Sequence, residues 1–231
     1  HDDKFKATGQ TIIDKCNDAN RRMNAGIDLI ENNDKVYQAF VFMNQAMYLQ
    51  RSITAFSKDY GNGIPCSLRD YMTDMPEKGR KKDHSEWRPF QIAFVLLNLY
   101  GIMDGESSER NIVDLLYFPT GGGKTEAFLG ACVFNMFFDR LRGKNEGITA
   151  FLKYPLRLLA VQQLDRVLTI AMKANVVRES IPELVHKTPF QVGFFVGKGN
   201  TPNKIDAYER LSERGEKNKS KDLILESDQE T

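Results

Sequence analysis

The sequence predicts an α/β fold, a parallel sheet with flanking helices, preceded by an α-helical N-terminal region. Two observations support this prediction. After residue 86, short apolar runs alternate with longer segments of helical periodicity, whereas before residue 61 only the helical period is found. An alternation of strands and helices implies right-handed crossovers and parallel strands, and ligands bind at the edge where the carboxyl ends of such strands meet.

The helical N-terminal region is predicted to cover residues 1–83. The segments 8–31 and 34–58 each carry one apolar stripe at helical spacing, and Asp34 is the expected N-cap of the second helix. The stripes comprise Ile12, Cys16, Ala19, Met23, Ile27 and Ile30, and then Val36, Ala39, Phe40, Met43, Ala46, Met47 and Ile53. Two antiparallel helices that face each other through these stripes would form a hairpin.

A segment rich in turn-forming and charged residues, 61–86, separates this region from the rest of the chain. Its basic run at 79–82 is compatible with a solvated loop or with a phosphate contact. We place the domain boundary in this segment, so that the second domain covers 84–231.

The stretch IVDLLYFPTGGGKTE at 112–126 has the order of a phosphate-binding loop: an apolar run, a glycine-rich turn, a Lys-Thr pair and a helical segment. Glycines let backbone N–H groups approach phosphate oxygens, and the helix start adds partial positive charge. Lys124 is expected to bind the β- and γ-phosphates and Thr125 to hold Mg²⁺, which makes them the predicted catalytic residues. Phe118 stands where the general pattern has glycine, and the alternative is a glycine turn with an incidental Lys-Thr pair. The predicted nucleotide-binding residues of this stretch are Thr120, Gly121, Gly122, Gly123, Lys124, Thr125 and Glu126.

A second candidate element is WRPFQ at 87–91, which precedes a helical run at 92–100. The amide of Gln91 has both a donor and an acceptor, so it can pair with the N6 and N7 edge of adenine. Arg88 or Phe90 could frame the base. The group resembles the adenine-reading element of superfamily 2 helicases, and the alternative is a helix start with proline in its first turn.

Two further strands are predicted at 148–154 and 191–196, with a helix between them to about residue 174. Arg157 lies at the opening of that helix, where its side chain and the helix N–H groups could meet a DNA phosphate. The alternative is a surface arginine paired with Asp165. Lys198, beside two glycines after the last predicted strand, is a further candidate for DNA contact.

Composition predicts an ordinary globular chain in a reducing compartment, the cytoplasm. The 231 residues carry a net charge of +1, so DNA contact must come from a local patch. The three cysteines have no metal-binding or disulfide spacing, and no apolar run is long enough to span a bilayer. Because the chain begins with His1 and ends in a polar run, we interpret it as a piece of a longer protein.

The segments FPTGGGKTEA and YPLRLLAVQQLDR resemble the nucleotide loop and motif Ia of superfamily 2 helicase motors. Together with WRPFQIAFVLLNLYGI, they resemble the large helicase subunits of the DISARM anti-phage defence system, the DrmA family, over roughly residues 36–200. The resemblance implies the first part of a RecA-like P-loop NTPase motor domain over 84–231, with ATP and Mg²⁺ as cofactors. It also implies DNA, single-stranded or at a duplex junction, and a subunit of the same system as partners, with Arg157 and Gln163 near the DNA backbone.

An acidic motif is missing from this pattern. A helicase needs an Asp-Glu pair after a later strand to hold Mg²⁺ and position water, and no apolar run in this sequence ends in one. We therefore expect an ATP-dependent DNA helicase or translocase in the full-length protein, while this chain alone binds ATP without efficient hydrolysis. The alternatives are a P-loop ATPase of a non-helicase class and a non-catalytic nucleotide-binding scaffold.

Overall fold

The computed structural model describes residues 2–65, 86–119, 121–155 and 157–195. These contain five α-helices and a single 3-10 turn at Ser108–Asn111. The helices are α1 (Asp2–Asn32), α2 (Asp34–Gly61), α3 (Pro89–Met103), α4 (Lys124–Leu141) and α5 (Arg157–Glu179). The chain divides into two compact units, one formed by His1–Leu152 and Asp165–Val192 and the other by Lys153–Leu164 and Gly193–Thr231.

The core of the first unit is made of helices packed on helices. Helix α4 contacts both α2 and α3, and α3 also contacts α1. Phe134 and Phe137 of α4 are fully buried, and Phe137 packs edge-on against Phe190, with 5.2 Å between the ring centroids. Close packing of this kind is the main source of stability for helices that would be marginal alone. Other fully buried side chains of this core are Val36, Met43, Val95, Leu99, Leu129, Val133 and Asp139.

The predicted helices are confirmed, with small shifts of their ends. The second helix begins one residue after Asn33, whose side chain accepts hydrogen bonds from the N–H groups of Lys35 and Val36, so Asn33 rather than Asp34 is the N-cap. The predicted stripe of α2 is buried at five positions: Val36, Ala39, Met43, Ala46 and Met47. The predicted domain boundary falls in 66–85, outside the described residues, and stays a prediction.

The stripe predicted for α1 is the packing face only in part: Ile30 lies half-buried against the core, while other members are exposed. Ile12 and Ile27 are 57% and 39% exposed, whereas Arg22 is only 4% exposed. Helix α1 also meets α3 through Gly26, where an added Cβ would lie 2.2 Å from the carbonyl oxygen of Leu96. The absence of a side chain lets the two backbones approach closely at this crossing.

The predicted parallel sheet is wrong, because the described residues contain no β-strand. The runs at 112–118, 148–154 and 191–195 have no regular secondary structure and make no ladder of backbone hydrogen bonds with other described residues. A strand exists only through such bonds to a neighbour, whatever its apolar pattern. In the first run the side chains of Val113, Leu115 and Tyr117 are 93%, 88% and 92% exposed. The observed unit is helical, and the α/β, RecA-like expectation does not describe it.

Candidate nucleotide-binding loop

The glycine turn adopts a conformation that only glycine takes readily. Gly121 and Gly123 have φ values of +80° and +90°, in the left-handed region. The N–H of Gly122 donates to the carbonyl of Pro119 at 3.1 Å, which closes the turn. A Cβ on Gly122 would lie 2.6 Å from the ring of Phe118. The sequence GGG is therefore required by backbone angle at two positions and by close packing at the third.

Helix α4 begins directly after this turn, with Gly123 as its N-cap and Lys124 as its first residue. The first N–H groups of a helix have no intrahelical partner, and Gly123 has no side chain to cap them. Together with the partial positive charge of the helix start, this arrangement favours an anion. The hydroxyl of Thr125 lies in the same first turn, on a half-buried residue.

The ammonium group of Lys124 lies against the backbone of the loop. Its Nζ donates to the carbonyl of Phe118 and, at 3.3 Å, to that of Pro119. These contacts hold the cation at the loop rather than in solvent. A strongly hydrated ammonium on a flexible stem can exchange carbonyl partners for phosphate oxygens, which are stronger acceptors.

The start of α3 is bound to the loop through backbone and ring contacts. Arg88 donates to the carbonyl of Gly122 at 2.7 Å, and Nε2 of Gln91 donates to the carbonyl of Gly123 at 2.8 Å. The rings of Phe90 and Phe118 stack with 3.9 Å between centroids. The structure thus brings the two elements singled out from the sequence, 87–91 and 119–125, into direct contact. The adenine contact predicted for Gln91 stays a prediction.

Glu126, in the first turn of α4, forms an ion pair with Arg166 of α5. Both side chains are partly exposed, at 24% and 39%, so we expect this pair to contribute at most about 1 kcal/mol to stability. Sequence reasoning placed Glu126 among the nucleotide-binding residues and did not find this partner. The distance of forty positions along the chain gives no local signal for it.

A buried charge cluster holds the segment that leads into the loop. Arg22 of α1 donates twice to the carboxylate of Asp114, at 2.7 and 2.8 Å, and once to Glu109 at 3.3 Å. Hydrogen bonding to Asp114 raises the pKa of Arg22, burial acts in the opposite direction, and the charges of Asp114 and Glu109 add to the increase. Sequence reasoning missed this cluster, although an aspartate inside the apolar run IVDLL was a signal that a cation would be needed.

Three of the predicted residues lie wholly or partly outside the described part of the chain. Thr120 and Lys198 are outside the described residues, and for Arg157 only its position as the first residue of α5 is described. Gln163 is half-buried, and its Oε1 has no hydrogen-bond partner among the described residues. The DNA contacts of Arg157, Gln163 and Lys198 stay predictions.

Comparison with known proteins gives one strong likeness. The chain is similar to the DISARM protein DrmA of Bacillus paralicheniformis. The two are 39% identical over 210 residues, which is 87% of this chain but 18% of the relative. This identity supports a DrmA-like relation for a chain that spans less than a fifth of the relative's length.

No protein-family model matches the chain, and no solved structure matches it. In the part of the chain that the structure describes, no helix is both long and apolar enough to cross a membrane.

Proposed function

We propose that this chain contains the nucleotide-binding loop of a DrmA-like protein that acts in anti-phage defence as an ATP-dependent DNA helicase or translocase. The observation that carries the nucleotide part is the turn at 121–123, which delivers the uncapped start of α4 and the ammonium of Lys124 to one place. The similarity to the DISARM protein DrmA supports the defence role.

The donor set fits a triphosphate with Mg²⁺. The free N–H groups at the start of α4 and the ammonium of Lys124 would bind phosphate oxygens, and the hydroxyl of Thr125 would hold the metal. Glycine at 122 and 123 lets the loop pack closely against Phe118 and Gln91, because a Cβ at either position would lie 2.6 Å from one of these side chains. Bound Mg²⁺ would neutralise phosphate charge during transfer.

For the DNA part, the supporting feature is the start of α5. Arg157 is its first residue, so an arginine stands at a helix end whose first N–H groups have no intrahelical partner. Gln163 and Lys198 complete the proposed backbone contacts. A partner subunit of the same defence system is part of this proposal.

Nucleotide binding is tested on the 231-residue chain by calorimetry with ATP and Mg²⁺. Lys124→Ala is expected to weaken ATP binding at least tenfold, since a charge-assisted contact is worth about 1.5–3 kcal/mol. The matched control is Lys58→Ala, which removes the same charge from the last turn of α2. Equal affinities for wild type and Lys124→Ala would refute the assignment.

The motor activity is tested in a protein that contains this chain together with the remaining length of its DrmA-like relatives. We expect single-stranded DNA to stimulate ATP hydrolysis, Lys124→Ala to abolish it, and Arg157→Ala to weaken the stimulation. Lys173→Ala, a charge removal farther along α5, serves as the control for Arg157. Hydrolysis that ignores DNA would favour a P-loop ATPase of another class, and a defence phenotype that survives Lys124→Ala would favour a scaffold.

A further inference from the structure

The side-chain amide of Gln91 is occupied at both ends by backbone groups. Its Oε1 accepts from the N–H of Arg88 at 2.9 Å, and its Nε2 donates to the carbonyl of Gly123 at 2.8 Å. Only 6% of the residue is exposed. A base that paired with this amide would displace both bonds and leave backbone groups in a mostly buried place without partners, which is unfavourable.

The contact with Gly123 depends on the missing side chain there. A Cβ on Gly123 would lie 2.6 Å from Nε2 of Gln91, closer than real Cβ atoms approach. The left-handed φ of +90° at Gly123 turns its carbonyl toward α3. Arg88 binds the preceding carbonyl, that of Gly122, at 2.7 Å. Two successive carbonyls of the loop are therefore fixed by the first turn of α3.

Fixing these carbonyls also fixes the N–H groups of the loop. In a planar trans peptide the C=O and the following N–H point in opposite directions. A carbonyl of Gly122 held by Arg88 directs the N–H of Gly123 away from α3, and a carbonyl of Gly123 held by Gln91 does the same for the N–H of Lys124. These are N–H groups that a phosphate would use at the start of α4.

We propose that Gln91 is a positioning residue that orients the phosphate-binding N–H groups of the loop and does not read the adenine base. The proposal rests on the nucleotide-binding function above. It departs from the adenine contact expected from sequence, because the two roles need the same amide atoms. It implies that Gln91 contributes equally to the binding of any nucleoside triphosphate and of tripolyphosphate, which has no base.

The test measures the binding of ATP, GTP and tripolyphosphate, each with Mg²⁺, to the 231-residue chain by calorimetry. Gln91→Leu removes both hydrogen bonds at similar volume and is expected to weaken all three ligands alike, by about tenfold. The matched control is Asn98→Leu on the same helix, whose amide donates to the carbonyl of Phe94, at 2.7 Å, and not to the loop. We expect that variant to bind all three ligands within about twofold of wild type.

A second variant covers the case in which Gln91→Leu does not fold. Gln91→Glu keeps the acceptor for the N–H of Arg88 but places a carboxylate oxygen against the carbonyl of Gly123, and the expected loss is again the same for the three ligands. Thermal melting verifies folding. Hydrogen exchange at Gly123 and Lys124 is expected to speed up in either Gln91 variant and to stay unchanged in Asn98→Leu.

Three results would overturn the proposal. A loss confined to ATP would make Gln91 an adenine reader, and no loss for any ligand would remove it from the site. Wild-type protein that binds none of the three ligands would refute the nucleotide-binding function itself, and this outcome is distinct from the other two.

Discussion

The crossing of α1 and α3 depends on one glycine, and replacing it gives a direct test of the fold. Gly26 is buried, and a Cβ added there would lie 2.2 Å from the carbonyl oxygen of Leu96 and 3.0 Å from its carbonyl carbon. Both atoms belong to the backbone of α3, so no change of rotamer can relieve the clash. Gly26→Ala must push the two helices apart by about 1 Å to restore ordinary contact.

The expected destabilisation follows from two opposing effects. Alanine favours a helix over glycine by about 1 kcal/mol. Overpacking at a rigid contact costs about 1–3 kcal/mol or more, and the shift also strains the bond from Arg22 to the carbonyl of Leu97, now 3.2 Å long. We expect a net loss of about 1–2 kcal/mol in the free energy of unfolding, which for a chain of this size lowers Tm by about 2–8 °C.

The control lies in the same helix. Gly9 has nothing within 4 Å of an added Cβ, so Gly9→Ala should gain helix propensity without a clash and stabilise the protein by about 0.5–1 kcal/mol. Urea unfolding followed by circular dichroism at 222 nm measures both variants. If Gly26→Ala proved as stable as Gly9→Ala, the close approach of α1 and α3 would be refuted.

Two further predictions concern residues of α4: Asp139, near its C-terminal end, and Cys132, in its middle. Burial acts to raise the pKa of Asp139, but hydrogen bonds from Lys144 and Thr149 and the charges of Lys144 and Arg142 outweigh it and lower the pKa. The ionised carboxylate of Asp139 therefore stabilises the protein above about pH 4, and this stabilisation is lost as the pH falls through the lowered pKa. Asp139→Asn should cost about 2–4 kcal/mol at pH 7. It should also reduce the fall of the urea unfolding midpoint between pH 7 and pH 2. Desolvation raises the pKa of the thiol of Cys132, a half-buried residue, to about 11. In a Cys66→Ser background, iodoacetamide at pH 8.5 should therefore label the exposed Cys16 first, as peptide mass spectrometry would show, and equal rates would contradict the shielding of the Cys132 thiol.

A helix that packs through its own apolar stripe was predictable from the sequence. In α2 the apolar stripe is also the packing face, and Met43 is fully buried as the spacing indicates. In α1 the stripe was only partly the packing face, because the contact with α3 also uses a small residue, Gly26, and a paired cation, Arg22. Neither adds to an apolar pattern, so periodicity does not reveal them.

The prediction of β-strands was wrong for a different reason. The apolar run at 112–118 favours burial, but whether it forms a strand is decided by what lies beside it. In this structure Asp114 is drawn to Arg22 and the side chains on either side of it in sequence are exposed, so the run follows α1 and not a neighbouring strand. An acid in the middle of an apolar run was the available signal against a strand buried on both faces.

The loop itself was predictable because its requirements are local: positive φ values at two glycines, and a helix that starts at Lys124. The contacts that anchor the loop were not predictable, because the side chains of Gln91 and Glu126 can bind a protein group as well as a nucleotide. The tertiary structure gives each of these two side chains a protein partner. The carbonyl of Gly123 occupies the donor of Gln91, and Arg166 occupies the carboxylate of Glu126. The loop is thus held through its backbone by α3 and through a side chain by α5. Under the proposed function, Lys124 and Thr125 are the described side chains of the loop that remain for a phosphate and its metal.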